Sequence, residues 1–473
     1  SRAIVNAPAA VHPLVADPGY QPLKHYLIES TGLAYYADKD SDLAARVGAR
    51  LGELRLQGCD AYLRLLRDPR AGESERHLLI GQLTIGETYF FRHTEQFEAL
   101  RDVVFPDVLE RNRHSRTLRI WSAGSAIGAE AYSVAILLKQ YFADRLVGWD
   151  VQILATDINQ AFLARGQRGQ FDERALRSTP EDVKREWFLA SGSTWTIRPV
   201  VSDWVSFQYH NLVEHPYPSI VHGIAALDLI LCRNVMIYFD WPVIDRIISR
   251  FHECLADGGW LAVGHAESNP DVFRAYRTVN VPGATLYQKS GDRTARDFPA
   301  SVPTPDPLWR PVSSEQQPWA PPVVPPLPDW SRPGAVETRA APALTPLAQA
   351  RRLADEGKWA DAARACDQLL EQDRLNPTVH FYQALILEQL KDLTGAERGF
   401  RRTLYLDRTF VLAHYHLALL LGQSGRRDTA LQSLRNVQGL LSPQAGSEQI
   451  ANADGLTVDD LRQLANMYLD LWQ

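Results

Sequence analysis

The sequence predicts an α/β protein: a doubly wound, Rossmann-like sheet with a helical subdomain before it, a small β-subdomain inserted in it, and an all-α repeat domain after it. Three observations carry this expectation. Residues 118–289 alternate strand-like and helix-like runs, 14 of the 29 prolines fall between Pro299 and Pro346, and small residues recur every 34 positions further on. Alternating elements imply a largely parallel sheet covered on both faces, with ligands beyond the strand C-termini. A chain of 473 residues exceeds the usual size of one core, so several domains are expected.

Residues 20–95 read as helices, because "DLAARVGARLGELRLQG" and "CDAYLRLLRD" place apolar residues three and four apart. Across 96–290, "LRIWSA", "VQILATD", "VSFQYHN", "LDLILC", "GWLAVGH" and "TLYQKS" read as strands, with helices at 129–142 and 241–256. Short alternating runs around a Ser-Gly-Ser turn between Trp187 and Tyr209 predict the inserted hairpin or small sheet. Residues 291–345 form a Pro-rich linker that cannot build a core and is expected to tether independently folded parts. Gly357, Lys391 and Gly425 are 34 residues apart, as are Ala362, Ala396 and Ala430, which is the tetratricopeptide period of paired helices. Residues 346–440 are therefore expected to stack as repeats with a groove for a partner protein or peptide. Residues 441–473 should add a loop and a capping helix from Val458 to Leu471.

A net charge of −6 offers no global basic field, so nucleic acid is not an expected partner. The apolar runs fall short of a bilayer span, so no membrane insertion is expected. Cys59, Cys232, Cys254 and Cys366 lack CxxC spacing, and His414 and His416 stand two apart on a helix, so no metal site is expected. The same cysteine usage, and an N-terminus without a charged and then apolar leader, point to a cytoplasmic location.

The segment "IWSAGSAIGAEAYSVAILL" (120–138) begins as a strand, breaks at Gly124 and Gly128, and continues as a helix. It lacks the GxGxxG pattern that directs amides at a pyrophosphate, and Glu130 in the first helical turn repels phosphate while attracting an ammonium. S-adenosylmethionine has that sign: its methionyl amine is cationic and it carries no phosphate. Asp157, ending the second strand in "LATDIN", is placed to bond ribose hydroxyls or to cap the next helix.

"TIGETYFFRHTEQFEAL" (84–100), "RIWSAGSAIGAEAYS" (119–133), "ILATDINQAFLARGQRGQF" (153–171), "HNL" (210–212) and "LILCRNVMIYFD" (229–240) occur in the order found in the CheR family, the chemoreceptor glutamate methyltransferases. The chain resembles that family over roughly residues 20–290. With its repeats, it is similar to the family's tetratricopeptide-bearing, biofilm-signalling (WspC-like) branch. The resemblance implies that 96–290 is an S-adenosylmethionine-dependent methyltransferase domain releasing S-adenosylhomocysteine, and that the substrate is a glutamate of a methyl-accepting chemotaxis-type receptor. It implies cofactor contacts from Thr88, Arg92, Gly124, Glu130, Asp157, Asn211, Leu212, Cys232 and Arg233, with Tyr238 near the transferring methyl. It also implies a β-subdomain able to take up a receptor's tail peptide.

A carboxylate nucleophile is ionised at neutral pH, so this chemistry needs alignment and exclusion of water and no general base. Arg92 and Tyr238 suit the orienting role. Arg46, Arg50 and Arg55 could give the N-terminal helices a positive side facing acidic receptor helices, although Glu53, Asp60 and Asp68 are interspersed. The loop departs from the family's usual Ser-Thr-Gly-Glu-Glu-Pro-Tyr: Ala126, Ile127, Gly128, Ala129, Glu130, Ala131 and Tyr132 stand there, and Gly86 replaces a frequent Asn. These losses, each about 0.5–1.5 kcal/mol of hydrogen bonding, keep a second expectation open. In it the protein is a catalytically weak or inactive methyltransferase-fold adaptor acting through its repeats. Methylation of nucleic acid or a small molecule is disfavoured, since "CRNVMIYF" stands where an Asn/Asp-Pro-Pro-aromatic motif would.

Overall fold

The structure, a computed structural model, describes residues 12–68, 71–269, 271–290, 345–444, 446 and 448–472. The expected linker at 291–345 lies almost wholly outside the described residues. Helices α1 (Tyr20–Thr31), α2 (Asp40–Leu54), α3 (Cys59–Arg67) and α4 (Gly72–Leu83) come first. They close around Leu23, Leu27, Val47, Tyr62, Leu66 and Leu79. Helix α1 stops where Gly32 takes φ 74° and returns its N–H to the Ile28 carbonyl, a left-handed stop that glycine adopts without strain. Helix α5 (Thr94–Ala99) passes through a π-helical turn at Leu100–Val104 into α6 (Phe105–Arg111).

The α/β part then follows in order: β1 (Thr117–Ala123), α7 (Ala129–Phe142), β2 (Asp150–Asp157), α8 (Gln160–Arg168), β3 (Gln170–Asp172), α9 (Glu181–Trp187), β4 (Phe188–Ser191), β5 (Thr194–Ile197), α10 (Pro199–Ser202), β6 (Val205–Tyr209), β7 (Leu227–Cys232), α11 (Trp241–Cys254), β8 (Leu255–Val263), β9 (Tyr276–Val281) and β10 (Ala284–Lys289). A seven-stranded sheet runs β6-β2-β1-β7-β8-β10-β9. Its first five strands are parallel, and β10 runs antiparallel to both β8 and β9. Every residue of β7 is buried, as a central strand covered on both faces requires.

The small sheet differs from expectation in its membership. Strands β4 and β5 form the hairpin, and the third strand is β3, giving the order β3-β5-β4; β6 instead pairs with β2 at the edge of the large sheet. Alternation around the turn shows a hairpin but not which distant segment completes it.

Beyond the undescribed stretch come α12 (Pro346–Asp355), α13 (Trp359–Gln372), α14 (Pro377–Gln389), α15 (Leu393–Leu406), α16 (Val411–Gln423), α17 (Arg427–Leu441) and α18 (Val458–Trp472). They pack as consecutive pairs, with α18 against α17. The 34-residue period has a backbone cause: Gly357, Lys391 and Gly425 all take a left-handed φ, 76°, 68° and 75°, in the turn inside each pair. Ala362, Ala396 and Ala430 are fully buried, where a larger side chain would hold the helices apart.

These helices pack against the α/β part. Ile220 and Val221, from the β6–β7 connection, belong to their apolar core. The Ile220 amide donates to Asp355 Oδ1 at 2.8 Å, and Ser219 Oγ to Asp454 Oδ2 at 2.6 Å. The Arg119 guanidinium lies 5.7 Å from the Trp359 ring. A Pro-rich segment says how two parts are joined; whether they touch depends on faces that only the fold brings together.

Candidate active site at the strand C-termini

Strand β1 has β2 on one side and β7 on the other, and the chain leaves toward β2 first and returns to β7 later. The crevice therefore opens beyond Ala123 and Cys232. Gly124 and Gly128 have φ of 74° and 77°. A Cβ on Gly124 would stand 2.4 Å from Val235 Cγ2, and one on Gly128 2.5 Å from the Phe207 ring, so neither position admits a side chain. The loop bends back on β2: the amides of Gly124 and Ser125 both donate to the Thr156 carbonyl at 2.8 Å, and that of Ala126 to Asp157 Oδ2 at 2.8 Å. Asp157 Oδ1 accepts from the Asn159 amide at 2.8 Å. Burial pushes the Asp157 carboxyl up to about 6, against the pull of these amides. Asn159, not Asp157, caps α8, its side chain accepting from the amides of Ala161 and Phe162.

Glu130 is not free to meet an incoming ammonium alone. Its Oε2 pairs with Arg233 Nη1 at 3.1 Å and its Oε1 accepts from Ser122 Oγ at 2.7 Å. The Arg233 side chain is only 3% exposed; its Nε donates to Gln96 Oε1 at 2.6 Å and its Nη2 to the Arg92 carbonyl. Gln96 in turn donates to the Val263 carbonyl at 2.7 Å. Residues from the ends of β1, β7 and β8 and from the 84–100 segment thus form one buried frame.

Beside it, Glu267 collects the amides of Asn234, Val235 and Met236, each at 2.8 Å, and that of Gly264 at 2.6 Å. One carboxylate therefore shapes the turn carrying Tyr238. The Tyr238 ring is half-buried, edge-on to Tyr35 at 5.9 Å. Burial raises its phenol above the usual value, partly offset by the nearby Arg92 charge. Arg92 is half-buried, donates to the Glu87 carbonyl at 2.7 Å, and stands 5.7 Å from the Tyr89 ring. Thr88, half-buried, lies on the same segment.

The other expected residues have structural commitments. Asn211 Nδ2 donates to the Ser30 carbonyl at 3.0 Å and its Oδ1 accepts from the Val213 amide at 2.9 Å, which fastens this loop to α1. Leu212 and Cys232 are buried in the apolar cluster behind β7, and burial holds the thiol well above its usual range. Gly86 is explained by Phe162, whose ring would stand 2.3 Å from a Cβ there.

The arginine face on the N-terminal helices is corrected by burial. Arg50 is 6% exposed, with Nε and Nη2 on Glu75 at 2.8 and 2.6 Å and a further bond to Glu53. Arg46 is held by Asp42 at 3.1 Å and by the Gln82 carbonyl, leaving Arg55 as the exposed member. Arg50→Ala is expected to cost about 3–5 kcal/mol in urea unfolding, because Glu75 stays buried without its cation. Arg55→Ala should fall within about 0.5 kcal/mol of the parent.

Gln96 and Glu267 escaped sequence reasoning because each acts through partners far along the chain, and Ser122 because its role depends on the strand-to-helix turn that brings it to Glu130. Three further polar atoms on these segments, Ser125 Oγ, Asn234 Oδ1 and Arg92 Nε, are buried without a hydrogen bond among the described residues.

Residues 86–283 match the family described as CheR methyltransferase, SAM binding domain. A probable chemotaxis protein methyltransferase of Rhizobium etli is 33% identical over 246 residues, 51% of this chain and 89% of that relative. Chemotaxis protein methyltransferase 2 of Vibrio cholerae is 29% identical over 277 residues, 58% of this chain and 94% of that relative. Among solved structures, the Yersinia enterocolitica translocator chaperone SycD covers 27% of this chain and 80% of its own at 16% identity and a TM-score of 0.24. The account of the C-terminal helices therefore rests on this chain's own geometry. A crevice at the sheet's switch point, a glycine-turned loop and an acid closing β2 define an S-adenosylmethionine-dependent methyltransferase. Within that class, the chain belongs to the CheR family of chemotaxis methyltransferases.

The residues present fit that cofactor. Each Asp157 oxygen uses one acceptor position on a backbone amide and keeps capacity for a hydroxyl. The unpaired atoms of Ser125, Asn234 and Arg92 supply further donors and acceptors on the same loops. Among the described residues no helix is long and apolar enough to cross a membrane, and all four cysteines are free and buried.

Proposed function

We propose that the protein methylates glutamate side chains of a methyl-accepting chemotaxis-type receptor, forming methyl esters that tune signalling in the cytoplasm. The observation that carries this reading is the buried Glu130–Arg233 frame, whose guanidinium donates to the Arg92 carbonyl, with the Arg92 charge favouring the ionised Tyr238 phenol. A cation and a phenol there can orient a carboxylate without a base beside it, which an already ionised nucleophile requires.

S-adenosylmethionine supplies an electrophilic methyl group on a sulfonium. Asp157 would accept ribose hydroxyls, and the Glu130 carboxylate, shared with Arg233, would offer its remaining acceptor capacity to the methionyl amine. Thr88, Gly124, Asn211, Leu212 and Cys232 would complete the walls, the last three through backbone and shape since their side chains are buried or committed. Arg92 and Tyr238 would hold the receptor carboxylate in line by hydrogen bonds, and Phe162 and Val235 would keep water from the loop. Arg177, 3.8 Å from the Tyr89 ring that Arg92 also faces and 3.4 Å from Glu87, would add positive charge beside Arg92 toward acidic receptor helices. The paired C-terminal helices are read as tetratricopeptide repeats of the WspC-like branch, recruiting a partner protein or peptide.

The test uses the purified full chain, methyl-labelled cofactor and a receptor cytoplasmic domain. Label released as methanol by mild base identifies a carboxyl ester. Base-stable label would refute the glutamate reading in favour of another methyl acceptor; no label above an Arg92→Ala/Tyr238→Phe control would refute it and leave the adaptor.

A further inference from the structure

Where α4 meets α18, Glu73, His77 and Asp460 each offer a ligand atom within 4.8 Å of the others. Spacing along the chain points to no metal here, because the third donor comes from the far end of the sequence. Glu73 and His77 lie one turn apart on the same face of α4, and Asp460 sits in the first turn of α18. Glu73 is 4% exposed and Asp460 3%, so two carboxylates are packed together away from water.

Their hydrogen bonds do not satisfy them. The Thr457 hydroxyl has one proton and lies against both Glu73 Oε1, at 3.2 Å, and Asp460 Oδ2, at 2.7 Å. Glu73 Oε2 makes no hydrogen bond; its charged neighbour is Arg76, at 3.8 Å. The imidazole has Gln160 3.3 Å from Nε2 and Gln463 3.1 Å from Nδ1, so a cation would displace one glutamine and leave the other to fix the ring. Asp460 is held by the Thr457 amide at 3.0 Å through Oδ2 alone, which leaves its other oxygen for a cation. Access exists as well: Asp460, Gln463, Gln160 and Tyr209 line a cavity of about 570 Å³ between α8 and α18.

We propose that Glu73, His77 and Asp460 bind a divalent transition-metal ion that clamps the C-terminal helices to the N-terminal helices. One imidazole and two carboxylates suit zinc better than magnesium, which prefers oxygen donors alone. Zinc bonds of about 2.0–2.2 Å require the three atoms to close to a little over 3 Å. The cavity leaves the fourth position to water. The cluster borders the methyl-transfer crevice: His77 stands edge-on to Tyr209, the cross-strand neighbour of Asp157, at 5.5 Å.

The test takes the full chain, strips it with chelator, dialyses it against zinc and then zinc-free buffer, and measures retained zinc by mass spectrometry alongside thermal denaturation. About one zinc per chain is expected, with a higher Tm in zinc, and at least about tenfold less retention in Asp460→Asn and His77→Asn. Both variants keep polar side chains of similar size, and circular dichroism establishes that they fold. Retention equal in parent and folded variants, meaning zinc held elsewhere on the surface, would overturn the proposal. So would a folded parent that keeps none.

Discussion

Arg233→Leu is expected to lower unfolding free energy by about 3–5 kcal/mol and to abolish S-adenosylhomocysteine binding. The guanidinium is the cation of a buried frame: it pairs with Glu130, bonds Gln96, and takes the Arg92 carbonyl. Leucine leaves the Glu130 carboxylate with only the Ser122 hydroxyl, and Gln96 with an unpaired oxygen. Removing the charge as well separates stability from function. Arg233→Leu/Glu130→Leu should recover most of the lost stability, since no buried charge remains alone, while cofactor binding stays absent. Urea unfolding and calorimetry on the three proteins test this. A double variant no more stable than the single one would show that the cost lies in packing and not in the orphaned charge.

The second large effect is a pH dependence of cofactor affinity with a defined sign. Burial raises Asp157 from its usual 3.8 to about 6, so the native state holds a proton that the unfolded chain has released between those values. The native state binds more protons there, so stability falls as pH rises through about 4 to 6. At neutral pH the buried charge costs ~3 kcal/mol, at 1.36 kcal/mol per pH unit. Hydroxyls donated by a ribose favour the ionised form, so binding opposes that cost. Affinity for S-adenosylhomocysteine is therefore expected to be flat above pH 7 and to weaken below about pH 6, approaching tenfold per unit. His93, which burial beside Arg233 pushes down to about 4, stays neutral across this range and does not mimic the effect. Asp157→Asn should bind more weakly at pH 7.5 and show no slope between pH 5 and 7.5. A slope unchanged in that variant would assign the titration to another group.

Several elements were legible in the sequence to the residue. The run "LDLILC" is β7 and the segment 129–142 is α7, because a fully apolar strand and a helix opened by a left-handed glycine leave little local ambiguity. The period of 34 was legible because left-handed turns and close helix approach restrict which residues fit. Strand β9 was not, since only its pairing with β10 selects a half-exposed run as a strand. In the candidate site, Glu130 and Asp157 were visible as carboxylates at the right ends of the right elements. Their electrostatic states were not, because those depend on Arg233 and on the amides of a folded loop.

What the sequence determined by itself is where the parallel strands and the long helices lie, where glycine must turn the chain, and which side chains could do the chemistry. These follow from apolar spacing and backbone sterics within a few residues. Only the tertiary structure decided that Arg50 is buried against Glu75, that Glu267 gathers the turn bearing Tyr238, that β3 completes the small sheet, and that the C-terminal helices pack onto the β6–β7 connection. Each of those depends on groups distant in sequence meeting in a low-dielectric interior, where the energy of a charge or a polar atom is set by its neighbours and not by its own identity.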